Sequence, residues 1–90
     1  MKIVQTPYFR RNYKRLHSNQ TKPVNEAILH ILFNPQCGEE KKGDLSGVMV
    51  YKFRVLDQQF LIAYEHDKET LYLLALGVHE NFYRDLKKAK

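Results

Sequence analysis

Apolar residues in the first third of the chain recur at the spacing of helices. Residues 2–6 have the composition of a short strand, and in residues 8–17 aromatic and aliphatic side chains follow at intervals of three and four, which predicts a first helix. A broader apolar stripe over residues 23–33 predicts a second helix. Pro23 suits the first turn of that helix, and Thr21 is a candidate cap.

The apolar pattern changes to a period of two after a loop over residues 34–47, which is rich in glycine and charge. Residues 48–56, 59–65 and 70–78 alternate as strands do, and the short turns between them predict an antiparallel meander. Residues 81–88 can form a last short helix. The expected fold is therefore α+β: a small antiparallel or mixed sheet, two N-terminal helices packed on one face, and a short C-terminal helix.

Length and composition are those of a small globular protein. The 90 residues suffice for a single domain over residues 1–90, with a modest core. One cysteine leaves no possibility of an intrachain disulfide. No segment approaches the roughly 20 consecutive apolar residues of a membrane span, and the N-terminus has no apolar signal region. We therefore expect a cytoplasmic protein without a membrane partner.

The charge is unevenly distributed along the chain. The net charge is +5, and residues 1–22 contain basic residues but no acidic one. Arg10, Arg11, Lys14 and Arg15 fall on one side of the first predicted helix, because residues four apart share a helix face. Such an excess suggests a polyanionic partner, either nucleic acid or an acidic protein. The alternative is an ordinary solvated basic helix.

The sequence predicts neither a metal site nor a cofactor. The four histidines, His17, His30, His66 and His79, are spread over different elements, and Cys37 has no neighbour at metal-ligand spacing. A glycine-rich phosphate loop between a strand and a helix is absent. Chemistry in this chain would have to come from its own side chains.

Two cations alternate with apolar residues on the first strand of the meander. If Tyr51, Phe53 and Val55 face the helices, Lys52 and Arg54 project together from the uncovered face, about 6.5–7 Å apart. Such a pair can hold a phosphate and stabilise charge that develops on it. The alternative is a solvated row of charges, or an edge strand that charge protects from aggregation.

The segment "LGVHENFY" follows the last strand with a histidine and a tyrosine four residues apart. His79 could give or take a proton at neutral pH, and Tyr83 could stack on a base or hold a phosphate. Alternatively, His79 caps the last helix and Tyr83 anchors it to the core. Taken with Lys52 and Arg54, and without a metal, these residues suit a ribonuclease in which the RNA 2′-hydroxyl attacks the adjacent phosphate.

The segments "DLSGVMVYKFRV" (44–55), "FLIAYEHD" (60–67) and "LYLLALGVHENFYRDLKK" (71–88) resemble the RelE/ParE superfamily of bacterial type II toxins. The resemblance also covers element order, size and charge over nearly the whole chain. It implies a RelE-like fold and an mRNA interferase that cuts mRNA in the ribosomal A site without a metal ion, and so inhibits translation.

The resemblance assigns roles to individual residues. Lys52 would be the base or a charge stabiliser, and Arg54 would grip the phosphate. His79 and Tyr83 match the YafQ-like branch, in which the histidine transfers a proton and the aromatic residue positions the base. One departure is Leu61, which stands where the founding RelE toxins carry an arginine.

Partners follow from the same resemblance. Arg10, Arg11, Lys14 and Arg15 would contact ribosomal RNA, and mRNA would be the substrate. A small antitoxin would wrap the protein and cover or displace the helix over residues 81–88. The alternatives are a ParE-like inhibitor of DNA gyrase with the same fold, and a non-catalytic toxin-fold protein that only binds.

Overall fold

The computed structural model describes residues 1–78, 82–84 and 86 and contains a five-stranded mixed sheet. The strands are arranged in the order β1-β5-β4-β3-β2, with β1 parallel to β5 and all other neighbours antiparallel. The predicted α+β fold and its meander are thus confirmed. The elements are β1 (Lys2–Gln5), α1 (Pro7–Lys14), α2 (Ser18–Phe33), β2 (Glu39–Glu40), β3 (Met49–Val55), β4 (Gln58–His66) and β5 (Thr70–Val78).

Polar side chains attach α1 to the neighbouring strand β5. The Thr6 hydroxyl accepts a hydrogen bond from the N–H of Phe9 at 3.0 Å, which caps the helix. The same hydroxyl donates to the carbonyl of Leu74 at 2.7 Å, and Nδ2 of Asn12 donates to the carbonyl of Leu76 at 2.9 Å. Two successive turns of α1 are therefore held against the β5 backbone.

The boundary between the two helices lies before Ser18, so the predicted start at Pro23 is wrong. His17, rather than Thr21, is the capping residue, and its N–H donates to Oε1 of Gln20 at 2.8 Å. This bond satisfies a backbone group at the helix start and lets the helix begin earlier. Pro23 lies inside α2, where it removes one backbone hydrogen bond.

One core lies between the helices and the sheet, as predicted. Met49 and Val55 of β3 are buried in it, while Tyr51 and Phe53 of the same strand pack against it, so the apolar side of β3 faces α1 and α2. The other buried members of this core are Phe9, Val24, Ala27, Ile31, Phe60, Ile62, Tyr64, Leu71, Leu73 and Leu76.

A second core covers much of the opposite face, which was expected to be uncovered. Phe82 and Leu86 have helical backbone and are only 3% and 0% exposed. Tyr83 is half-buried, so Phe82 takes the inward position. The face requires cover because the strands present apolar side chains there. The buried side chains on this face are Val50, Leu61, Ala63 and Ala75 of the strands, together with Leu45 and Val48 from the segment before β3.

A β-bulge in β5 decides which residues reach each core. Ala63 of β4 pairs with Ala75, whereas the next residue, Tyr64, pairs with Leu73, so Leu74 is an extra residue. Leu73 consequently belongs to the first core and Ala75 to the second, although strict alternation would put them on one face. The bulge lets a single strand supply both cores.

Tyr64 connects β4 to the segment that leads into β2. Its side chain is fully buried, and its hydroxyl donates to the carbonyl of Pro35 at 2.7 Å and accepts from the N–H of Gly38 at 3.0 Å. A Cβ at Gly38 would lie 2.6 Å from the same hydroxyl oxygen, so only glycine fits there. Burial raises the pKa of Tyr64, which keeps the hydroxyl neutral.

Replacing Tyr64 with Phe should lower the free energy of unfolding by about 1–3 kcal/mol, because buried polar groups of the segment lose their partner. Tyr72→Phe is the matched control, since that hydroxyl makes only a 3.5 Å contact with Asp67 at the surface. Urea unfolding measures both variants. Equal losses would show that the Tyr64 hydroxyl does not hold the segment.

Candidate functional site

Lys52 and Arg54 lie on β3, and both side chains are exposed. Tyr51 and Phe53 pack against the first core, so Lys52 faces away from α1 and α2, as the alternation predicted. The positions of Lys52 and Arg54 on the strand are about 6.5–7 Å apart. Within the described residues, β2 pairs only with the first two residues of β3, so the part of β3 that carries the cations is a free edge of the sheet.

Arg54 turns toward the end of β3. Its Nη2 atom donates to the backbone carbonyl of Asp57 at 3.2 Å, in the turn between β3 and β4. The side chain lines a cavity of about 250 Å³, together with His30, Tyr51 and Phe53. Lys52 does not line this cavity, so the structure places the two cations in different surroundings.

Lys52 lies near a carboxylate of β2 that the sequence did not indicate as part of a site. The pKa of Glu39 is lowered, first by a hydrogen bond from Lys41 and then by the positive charges of Lys41 and Lys52. The Nζ atom of Lys41 is 2.8 Å from Oε1 of Glu39, and this hydrogen bond raises the pKa of Lys41. Glu39 therefore pairs with Lys41 and lies within electrostatic range of Lys52.

Tyr83 joins the same group of side chains. The Nζ atom of Lys41 lies 5.1 Å from the centroid of the Tyr83 ring, within the range of a cation–π contact. We call Glu39, Lys41, Lys52 and Tyr83 the charged cluster. It contains two of the four residues that the sequence proposed for catalysis, and it adds two that the sequence did not indicate.

Glu39 and Lys41 were missed because they fall in a segment that was read as a loop. A strand of two residues is too short to show a period. Only the pairing of Glu39 with Val50 places these side chains next to β3. No local sequence signal would have distinguished them from the other charges of the loop.

The neighbouring Phe82 ring packs against the Tyr83 ring and restricts its position. The ring of Phe82 meets it edge to face, with centroids 5.4 Å apart and an interplanar angle of 85°. Phe82 is itself buried against β5, where a Cβ at Gly77 would lie 3.5 Å from its ring. His79, the proposed proton-transfer residue, lies outside the described residues.

Leu61 is the cross-strand partner of Lys52 on β4. It is fully buried in the second core, beneath Phe82 and Leu86. An apolar side chain thus stands beside Lys52 where the founding RelE toxins were expected to carry a cation.

The four basic residues of the α1 region are all exposed and form two rows. Arg11 and Arg15 line a cavity of about 530 Å³ between α1 and the end of β5. Arg10 and Lys14 line a cavity of about 400 Å³ on the outer side of the helix, with Arg11 at its border. The predicted basic surface is therefore divided between two places.

Two further properties concern only the described part of the chain. Over those residues, no three His, Cys, Asp or Glu side chains are grouped so that they could hold a metal ion. In the same ranges, neither α1 nor α2 has the length and apolar content that a membrane-spanning helix requires.

Comparisons with known proteins agree on one fold. Residues 3–87 match the family described as ParE-like toxin of type II bacterial toxin-antitoxin system. A YoeB/ParE toxin from Agrobacterium tumefaciens is 22% identical, with a TM-score of 0.65, and the alignment covers 88% of this chain and 99% of that one. The curated proteins contain no match.

Two structures from Escherichia coli share the same fold. Free RelE is 12% identical with a TM-score of 0.74, and the alignment covers 98% of this chain and 90% of RelE. A chain of the RelBE toxin-antitoxin complex is 13% identical with a TM-score of 0.67, and the alignment covers 88% of this chain and 96% of that chain. At these identities the likeness concerns the fold alone.

The geometry of the charged cluster predicts an order of effects on Glu39. Lys41→Met should raise the pKa of Glu39 more than Lys52→Met does, because Lys41 contributes a hydrogen bond in addition to its charge. Titration of the Glu39 carboxyl carbon by NMR measures both shifts. Equal shifts, or no response to Lys52→Met, would contradict the placement of these residues.

Proposed function

The chain belongs to the family of ParE-like toxins of type II bacterial toxin-antitoxin systems, and we propose that it inhibits translation by cutting mRNA on the ribosome without a metal ion. The observation that carries this proposal is the exposed position of Lys52 and Arg54 on the sheet, with Tyr83 joined to Lys52 through the charged cluster. Ribosomes and mRNA would be its partners, in the cytoplasm.

The proposed reaction requires the protein to accept a proton, to donate a proton and to stabilise negative charge on the phosphate. The RNA 2′-oxygen attacks the adjacent phosphorus while its proton leaves, and the bond from phosphorus to the 5′-oxygen breaks as that oxygen gains a proton. The products are a 2′,3′-cyclic phosphate and a 5′-hydroxyl. Negative charge on the phosphate oxygens grows in between and must be stabilised.

Lys52 and Arg54 would supply that stabilisation. Lys52, beside Glu39, would act as the base or stabilise charge, and Arg54 would bind the phosphate. The guanidinium of Arg54 has only a backbone carbonyl as its described partner, which leaves donors for a ligand. Binding a phosphate beside Lys52 requires Arg54 to leave the carbonyl of Asp57 and turn toward the sheet face that carries Lys52.

Tyr83 and His79 would complete the site. Tyr83 would hold the RNA base, and its packing on Phe82 supports this positioning role because the ring is held before substrate binds. His79 would transfer a proton. Buried Leu61 provides no cation beside Lys52, so the protein would have one group fewer to stabilise charge than the founding RelE toxins, and His79 would have to compensate for it.

A second candidate function is inhibition of DNA gyrase without hydrolysis. The description of the matched family as ParE-like favours it, and so does the apolar Leu61 beside Lys52. In that case Lys52 and Arg54 would be binding residues and not catalytic ones. A toxin-fold protein that only binds its partners is the third alternative.

A cognate antitoxin is the partner that the family membership supports, and a solved RelBE complex shares this fold. Phe82 and Leu86 cover an apolar sheet face, so an antitoxin that displaced them would have to supply apolar side chains of its own. It would also need acidic residues for Lys52 and Arg54. A segment that carries both acidic and apolar side chains and becomes ordered on binding would meet both requirements.

In a purified translation system, the protein should cut mRNA, and Lys52→Ala or Arg54→Ala should slow cleavage by about 10²–10³-fold because charge stabilisation is lost. Primer extension locates the cut, and end analysis should find a 2′,3′-cyclic phosphate. Replacing the 2′-hydroxyl at the cut nucleotide by a 2′-O-methyl group should prevent cleavage there.

Lys68→Ala is the matched control for this experiment, because Lys68 is an exposed lysine in the turn between β4 and β5. It should cleave at the normal rate. Intact mRNA together with inhibition of gyrase supercoiling would replace the ribonuclease by the second candidate. If the protein neither cuts mRNA nor inhibits gyrase supercoiling, at concentrations that saturate ribosomes, the result would support the third alternative, a protein that only binds its partners.

The product of the gene next to this one should co-purify with the toxin and suppress its effect on translation, because it would cover Lys52 and Arg54. Substituting both residues with Ala should weaken the complex at low salt, where charge attraction is strongest. Pull-down at two salt concentrations measures this. Undiminished binding would show that the antitoxin uses other surfaces.

A further inference from the structure

A cavity of about 530 Å³ lies where α1 meets the end of β5, and we call it the α1 cleft. Its volume lies within the range of about 300–1,000 Å³ that is usual for small-molecule sites. The side chains that matter for its chemistry are Tyr8, Arg11, Arg15, Phe60, Val78 and Phe82.

One wall of the α1 cleft is cationic. Arg11 and Arg15 are one helical turn apart on the same side of α1, and both are exposed. Neither has an ion pair or a side-chain hydrogen bond within the described residues. No described acidic residue lines the cleft. Two guanidinium groups in this position can hold a phosphate through paired N–H donors.

The other wall is aromatic and apolar. Tyr8 and Val78 are half-buried and keep accessible surface in the cleft, whereas Phe60 and Phe82, which are 5% and 3% exposed, lie beneath them. Aromatic side chains are the usual platform for unpaired bases, because every base has a flat face on which a ring can stack. The α1 cleft thus combines a wall for phosphate with a wall for a base.

The two walls are held at a fixed distance. Asn12 lies between the arginines in sequence, and its amide donates to the carbonyl of Leu76 at the bottom of the cleft. The bond from Thr6 to Leu74 holds the preceding turn in the same way. The arginine-bearing turn is therefore positioned before any ligand binds, which reduces the entropy lost on binding.

We propose that the α1 cleft binds one unpaired nucleotide of an RNA chain. Arg11 and Arg15 hold the phosphate, and the base lies against the aromatic and apolar wall. That the ligand is RNA rests on the proposed function. Phe82 lines the cleft and contacts the Tyr83 ring, so the cleft and the charged cluster share one supporting side chain.

Two double variants with equal loss of charge test this proposal. Arg11→Gln/Arg15→Gln removes the cationic wall, whereas Arg10→Gln/Lys14→Gln alters the outer side of the same helix and keeps the cleft. The probe is a short fluorescein-labelled 2′-O-methyl RNA, which cannot be cleaved. Fluorescence anisotropy should show Kd raised at least about tenfold for the cleft variant, and about two- to threefold for the control through general electrostatics.

A second probe tests the base wall. The same RNA with one abasic position has unchanged phosphates, so it should bind the wild type several-fold more weakly than the complete RNA. In NMR spectra, the side-chain N–H signals of Arg11 and Arg15 should shift with RNA more than that of Arg10. Thermal melts of all variants exclude loss of folding.

Three outcomes would overturn the proposal: equal losses in the two double variants, no effect of the abasic position, or arginine-dependent binding of poly-glutamate but not of RNA. The last outcome would assign the cleft to an acidic protein segment. If mRNA is cut but the cleft result is negative, only this inference fails. If RNA binds in the cleft but mRNA stays intact in translation, the proposed ribonuclease fails and the cleft remains.

Discussion

Five consecutive residues of β4, from Phe60 to Tyr64, are nearly inaccessible to solvent, so both faces of this strand must be covered. On one face α1 and α2 provide the cover, and on the other Phe82 and Leu86 do so with Leu45. A chain of 90 residues has little else to bury a sheet with. Among the described residues, β1 and the far end of β3, where Lys52 and Arg54 lie, remain exposed.

The positions of the charged residues follow from the burial of both faces of the central strands. Apolar side chains occupy both faces of the central strands, and the cations lie around them, on the free edge of β3 and on α1. Lys41 and Glu39 form a salt bridge, and basic residues outnumber acidic ones by five over the sequence, so the protein carries an excess of positive charge. A surface of this kind attracts a polyanion over a distance and leaves the contacts at short range to decide which one binds.

The segment after β5 contributes to stability and to the candidate site at once. Phe82 closes the second core, lines the α1 cleft and supports the Tyr83 ring. A partner that displaced this segment would expose apolar surface and separate Tyr83 from Lys41 in one step. Loss of this segment would thus disturb the second core and the charged cluster together.

Periodicity alone determined the two helices, the meander and the exposure of Lys52 and Arg54, because each of those elements buries one continuous stripe of its own residues. The start of α2 at Ser18 was not predicted, because a side-chain contact at Gln20 outweighed the proline signal. The bulge at Leu74, the two-residue strand at Glu39 and the cleft beside Arg11 were decided only by the tertiary structure. Each depends on contacts between residues far apart in the chain, and such contacts leave no local period in the sequence.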